Sequence, residues 1–181
     1  MLEDKLVSVA QKAIASFLPK RLQVERGAAL LYQIAVDNNL SIAINPRFPT
    51  RGQSAFQTDL CIFETRSVKI RIPRVVIEFK PGLSTHDVLT YSTKARKHKQ
   101  IYPYLRYGLV TARPIAVPGR FFTHNEALDF CLATGGLSTS AIGAWLRALI
   151  RKEVAASRRL EAIAFDKTSA RLFRNEIKLG P

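Results

Sequence analysis

The run RVVIEFKPG, residues 74–82, constrains this chain more than any other stretch. Val75, Val76, Ile77 and Phe79 belong in a core, yet Glu78 and Lys80 interrupt them; on a strand those two charges share one face while Ile77 and Phe79 take the other. An unpaired charge does not stay buried, so the charged face must meet solvent, a metal or an anionic ligand. The polar stretch STHDVLTYSTKARKHKQIY (84–102) opens on Ser84 or Thr85 as an N-cap and closes before Pro103, as a helix does. RYGLVTAR (106–113) is then apolar enough for an interior strand. Residues 74–113 therefore have a β-α-β rhythm, which predicts a parallel strand pair in an α/β sheet.

Outside that unit, Leu2, Leu6, Val9, Ala10, Ala13, Ile14 and Phe17 recur at helical spacing and predict an amphipathic helix over 2–17. A second helix is expected near 23–38, a first strand at LSIAI (40–44) and a loop at NPRFPTRGQS (45–54). FQTDLCIFE (56–64) reads as one strand, and TRSVKIRIP (65–73) as a hairpin arm stopped by its proline. A short helix is expected over 124–134, ending at Gly135-Gly136, and a long last helix from Ser138 or Ser140. On that last helix Ile142, Trp145, Leu146, Leu149, Ile150 and Leu160 fall on one arc, with Arg147, Arg151, Lys152, Arg158 and Arg159 on the other. Those arginines are either solvated or in contact with phosphate.

The 181 residues carry 28 Lys and Arg against 14 Asp and Glu, a net charge of +14 spread along the chain instead of gathered in a tail. Such a surplus points to a polyanion, with nucleic acid before an anionic membrane surface. Glu3 and Asp4 stand where a secretion signal needs positive charge, and no apolar run approaches a membrane span, so a soluble, cytoplasmic protein with no membrane partner is expected. Cys61 and Cys131 lack ligand spacing and read as free buried thiols. His86, His98 and His124 form no cluster, so no zinc site is expected and the three read as surface residues or incidental ligand contacts.

Glu-x-Lys occurs three times, at Glu3/Lys5, Glu78/Lys80 and Glu176/Lys178, and only the middle pair interrupts an apolar strand. Asp59 interrupts the strand-like run before it. If the two strands are neighbours, two carboxylates converge, and each is driven to protonate unless a cation neutralises them. A divalent ion with oxygen ligands, Mg²⁺ above all, meets that need. The plainer alternative for Asp59, Glu78 and Lys80 is a structural ion pair at a strand end.

With "TD" at 58–59, "EFK" at 78–80, the 84–102 helix and "YGLVT" in that order, the chain resembles the PD-(D/E)XK, or restriction endonuclease-like, nucleases. Thr58 stands where the pattern has proline. The resemblance implies an α/β fold with an α-β-β-β-α-β core, a mixed central sheet flanked by helices, over residues 1–119. A C-terminal helical part (120–181) would pack on it, within one domain overall. It implies Asp59, Glu78 and the backbone carbonyl of Phe79 as ligands of Mg²⁺, with Mn²⁺ as a substitute and no organic cofactor. Lys80 would orient the attacking water or offset charge on the phosphate. Some members add an acid from the first helix, for which Glu3 is the candidate and Glu25 the second, and many place a Lys or Gln on the following helix, here Lys94.

The activity so implied is that of a Mg²⁺-dependent DNA endonuclease, expected to be restriction-type and homodimeric, so that two sites meet two strands. A junction-resolving or repair nuclease, a catalytically silent nuclease-like binding module and a structural RNA-binding protein are the alternatives. Arg47 and Arg51, then Arg66, Lys69, Arg71 and Arg74, then Arg96, Lys97 and Lys99, and Arg147 and Arg151 on the last helix are the candidate phosphate contacts.

Overall fold

A computed structural model describes residues 3–52, 54–68, 70–173 and 176–178. Helix α1 spans Glu3–Ala15, with Glu3 and Asp4 in its first turn where the helix dipole favours acids, and it buries Leu6, Val7, Ala10 and Ile14. Leu2, expected in this helix, lies outside the described residues.

The helix expected over 23–38 is not formed. Its residues make two strands, β1 (Leu22–Arg26) and β2 (Ala29–Leu31). Gly27, at φ +71°, turns the chain between them, and a Cβ there would come within 2.8 Å of the Gln57 side chain. A short apolar run such as 28–31 carries no period that separates helix from strand, and the strands offered by later segments decide. LSIAI likewise forms no named strand: it contributes one bridge, Val36 to Ile42, within an exposed loop.

The expected strand 56–64 is two strands, β3 (Ala55–Gln57) and β4 (Leu60–Ser67), with Thr58 and Asp59 between them. β3 pairs with β2 in a small ribbon, while β4 joins the main sheet. Thr58 donates to the Ala28 carbonyl through both its N–H, at 2.9 Å, and its hydroxyl, at 3.0 Å, and so pins the switch between sheets. β5 is long, Ile70–Lys80, and runs through Pro73 instead of stopping there. Pro73 opposes Phe63 where the β4–β5 register shifts, an irregularity that tolerates the missing N–H.

The main sheet has the order β1-β4-β5-β6-β7. β1, β4 and β5 are antiparallel, and β5, β6 (Arg106–Thr111) and β7 (Phe130–Ala133) are parallel. Helix α2 (Thr85–Ile101) makes the expected crossover from β5 to β6, opened by a capping box in which Ser84 and Asp87 satisfy each other's backbone N–H. The helix expected over 124–134 is replaced by α3 (Gly119–His124) and β7. Gly108 on β6 admits β7 at close range: a Cβ there would stand 2.4 Å from the ring and carbonyl of Phe130.

The last helix, α4 (Thr139–Phe165), is capped by Ser138 as expected. Ile142, Leu146 and Ile150 are buried, and the stripe continues through Val154, Ser157 and Glu161, whereas Trp145 is 37% exposed. α1 and α4 cover one face of the sheet with Leu60, Ile62, Ile77 and Phe79 beneath them. α2 and α3 cover the other, over Cys61, Val76, Tyr107 and Leu109. The protein is thus a mixed α/β structure with a five-stranded mixed sheet flanked by helices. Among the described residues no helix is long and apolar enough to cross a membrane. Cys61 and Cys131 are free thiols, the first buried and the second half-buried.

Candidate active site

Leu60 on β4 pairs with Ile77 on β5, so Asp59 sits at the mouth of β4 beside Glu78. Strand alternation sets Asp59 and Glu78 on the α2 face, while Leu60, Ile77 and Phe79 face α1 and α4. The two acids are interlocked. The Phe79 N–H donates to Asp59 Oδ2 at 2.8 Å, and the Asp59 N–H donates to Glu78 Oε2 at 3.3 Å.

Glu78 is 2% exposed. Its Oε1 accepts the Tyr107 hydroxyl at 2.5 Å and lies 3.7 Å from Lys94 Nζ, two turns and more into α2. Burial pushes the Glu78 carboxyl up to about 7; Lys94 draws it back down and neighbouring Asp59 adds to the rise. Lys80 leaves the end of β5 and stands 3.7 Å from Glu3 on α1. The Lys80 and Lys94 ammonium groups lie 5.6 and 5.0 Å from the centroid of one ring, Tyr91, so that ring supports both cations.

Asp59, Glu78, Lys80, Lys94 and Glu3 are therefore brought together at one end of the sheet. Glu25 is not among them; it pairs with Arg71. Tyr107 and Tyr91 escaped the reading of the sequence. For Tyr107 a signal existed, since a tyrosine inside an otherwise aliphatic interior strand has a hydroxyl that needs a partner.

Two carboxylates are a hard oxygen donor set. The Phe79 carbonyl adds a third oxygen: the Lys80 carbonyl accepts from Ala112 N–H on the β6 side, so the backbone of Phe79 turns the opposite way, toward β4 and Asp59. Mg²⁺ is commonly held by one or two carboxylates and completed by water and phosphate, so the donor set fits it. Among the described residues, no cluster of three or more His, Cys, Asp and Glu forms a metal cage.

The candidate phosphate contacts separate into groups. Arg47 and Arg51 lie in the exposed loop between β2 and β3, Arg51 donating to Gln57 at 2.8 Å. On α2, Lys97 is exposed with its ammonium 5.2 Å from the Tyr32 ring centroid, and Arg96 is 3.4 Å from Glu126. Lys99 is turned inward, 2.7 Å from both Asp129 and the Ala127 carbonyl, with Arg106 bridging Asp129 to Glu153. Arg147 and Arg151 border a groove between α1 and α4, across the sheet from Glu78. Lys69 lies outside the described residues.

Arg74 corrects the expectation of a phosphate contact. It is 1% exposed and binds Glu64 and Glu161, each at 2.7 Å, while Arg158 and Arg66 hold the outer sides of the same carboxylates. β4 pairs Ile62 with Val75 and Phe63 with Pro73, so Arg74 is the extra residue at the register shift, and two acids from β4 and α4 make its burial tolerable. Arg71 lies nine positions before Lys80 on β5, roughly 30 Å away along an extended chain, at the opposite end of the sheet from the acids. His98, expected at the surface, is fully buried, with Nδ1 2.8 Å from the Leu31 carbonyl; burial lowers it to about 4.

A sheet edge that presents two carboxylates and two ammonium groups is a site suited to an ion and a polyanion together. No protein-family model matches the chain, and no curated protein matches its sequence.

Proposed function

We propose that this protein is a Mg²⁺-dependent DNA endonuclease of the PD-(D/E)XK kind, hydrolysing phosphodiester bonds. The observation that carries the reading is the interlocked pair Asp59 and Glu78 on one face of neighbouring strands, with Lys80 and Lys94 beside it. Converging acids have no use in a protein that merely binds nucleic acid, because they repel it. With the β2–β3 ribbon set aside, α1, β1, β4, β5, α2 and β6 follow the family's α-β-β-β-α-β order.

Asp59, Glu78 and the Phe79 carbonyl would hold the Mg²⁺ ion, or Mn²⁺ in its place. When bound, the ion supplies a Lewis acid and a charge clamp for the scissile phosphate. Lys80 places its ammonium where negative charge grows on that phosphate and exchanges its long contact with Glu3 for the substrate. Lys94 offsets the charge on Glu78 between turnovers. Lys97, Arg47 and Arg51, on α2 and the β2–β3 loop, hold the DNA backbone, and the surplus of +14 draws it in. A homodimer would bring two such sites to two strands.

The test is incubation of supercoiled, linear, branched and single-stranded DNA with the protein and Mg²⁺ or Mn²⁺, read on gels. Cleavage is expected, and Asp59→Ala is expected to abolish it while leaving DNA binding intact. No cleavage of any substrate, or full activity in Asp59→Ala, overturns the reading. The substrates cut separate a restriction enzyme from a junction-resolving or repair nuclease.

A further inference from the structure

We propose that Tyr107 is a positioning residue that fixes how Glu78 presents its carboxylate beside Asp59; this rests on the metal-site reading above.

Glu78 has donors on both oxygens. Tyr107 holds Oε1 at 2.5 Å and the Asp59 N–H holds Oε2 at 3.3 Å, so the carboxylate plane is set and Oε2 lies on the Asp59 side. The shorter of the two has the length of a hydroxyl bonded to a carboxylate. Lys94, at 3.7 Å from Oε1, is too distant for a directional bond and does not define the plane.

Tyr107 is itself held. It is fully buried on β6, and its ring lies 5.6 Å from that of His98, with 19° between their planes. His98 is tied to β2 through the Leu31 carbonyl at 2.8 Å and meets Phe56 edge-on at 5.8 Å. Phe56 stacks on Tyr32 at 3.9 Å. A ladder of four rings thus runs from the β2–β3 ribbon and Lys97 to the Glu78 carboxylate, and each rung limits rotation of the next. Phenylalanine would satisfy the packing at 107. The hydroxyl adds one thing, the bond to Glu78.

Without that bond, Glu78 keeps only the long contact to Lys94 on Oε1 and turns toward it, away from Asp59. Removing an outer partner that orients a metal ligand weakens metal binding about 10- to 100-fold. The test is Tyr107→Phe, titrated with MnCl₂ alone by calorimetry and electron paramagnetic resonance, beside wild type and Glu78→Gln. Wild type is expected to bind Mn²⁺, Glu78→Gln to lose it, and Tyr107→Phe to bind about 10- to 100-fold more weakly while melting cooperatively. Its cleavage rate is expected to recover at high Mn²⁺, as a change in the metal requirement and not in the saturated rate.

Binding by Tyr107→Phe within twofold of wild type overturns the proposal and leaves the nuclease reading standing. Absence of binding in wild type overturns both. A second reading needs no variant at 107: in the metal-free wild type the Tyr107 hydroxyl proton should give a slowly exchanging, far-downfield NMR line that Glu78→Ala removes. Its absence from the wild-type spectrum also overturns the proposal.

Discussion

Asp59 and Glu78 lock two strands together: the Asp59 N–H donates to the Glu78 carboxylate, and the Asp59 carboxylate accepts the N–H of the residue after Glu78. The arrangement is bought at the expense of a buried acid whose proton affinity is raised to about 7, chiefly by burial.

The first prediction concerns pH. A carboxyl raised from 4.5 to about 7 in the fold keeps its proton where the unfolded chain has released it. Between those values the native state binds more protons, so stability falls as pH rises and levels off above 7. Glu78→Gln removes this dependence and keeps an acceptor for Tyr107. In chelator-treated protein, its unfolding free energy should exceed that of wild type at pH 8 by at most about 3 kcal/mol, and the gap should close toward pH 4.5. A constant gap across that range counts against the burial of a charged Glu78.

Arg74 lies between Glu64 and Glu161 at 2.7 Å from each. Arg74→Ala removes the buried centre of the network but leaves Glu64 to Arg158 and Glu161 to Arg66, so denaturant unfolding should show a loss of stability smaller than the about 3–5 kcal/mol of an uncompensated buried charge. Under conditions where the variant is folded, the salt dependence of DNA binding should match wild type. A shallower salt dependence would mean that Arg74 reaches phosphate after all.

Lys97 stands exposed on α2, one turn beyond Lys94, whereas Arg71 lies at the far end of β5 and pairs with Glu25. Lys97→Ala should weaken DNA binding evenly across sequences and reduce the slope of log affinity against log salt by about 1. Arg71→Ala should leave that slope unchanged. Fluorescence anisotropy over a range of salt concentrations measures both.

Lys80→Met should slow cleavage by about 10²–10³ with DNA binding and melting temperature retained, since its ammonium acts on charge that develops during the reaction. A single-turnover rate close to wild type would assign Lys80 to its contact with Glu3 alone.

Gly108→Ala places a methyl 2.4 Å from the ring and backbone carbonyl of Phe130. The collision involves backbone, so the β6–β7 pair must part. Unfolding should show a loss of about 1–3 kcal/mol or more.

The unit 74–113 was fully legible in the sequence: a charged pair on an apolar strand, a capped helix and a strand behind it, each marked by local chemistry. The long amphipathic helices at the two ends were legible for the same reason, since their periods extend over several turns. Residues 28–31 and 130–133 were not, because an apolar run of four residues looks alike in helix and strand until a neighbouring strand offers hydrogen bonds. Position 59 was marked as an acid in a strand, but its meeting with Glu78 depends on the chain leaving β3 for β4 at that point.

What the sequence determined by itself was thus the list of charged groups on interior strands and the order of the helices and strands around them. Which of those charges meet was decided by register and layer. The register shift between β4 and β5 buried Arg74 between two acids 10 and 87 residues away, and the parallel pairing of β5 with β6 carried a tyrosine from 29 residues away onto Glu78. Contacts between residues so distant along the chain form only when the sheet closes, and no local pattern records them.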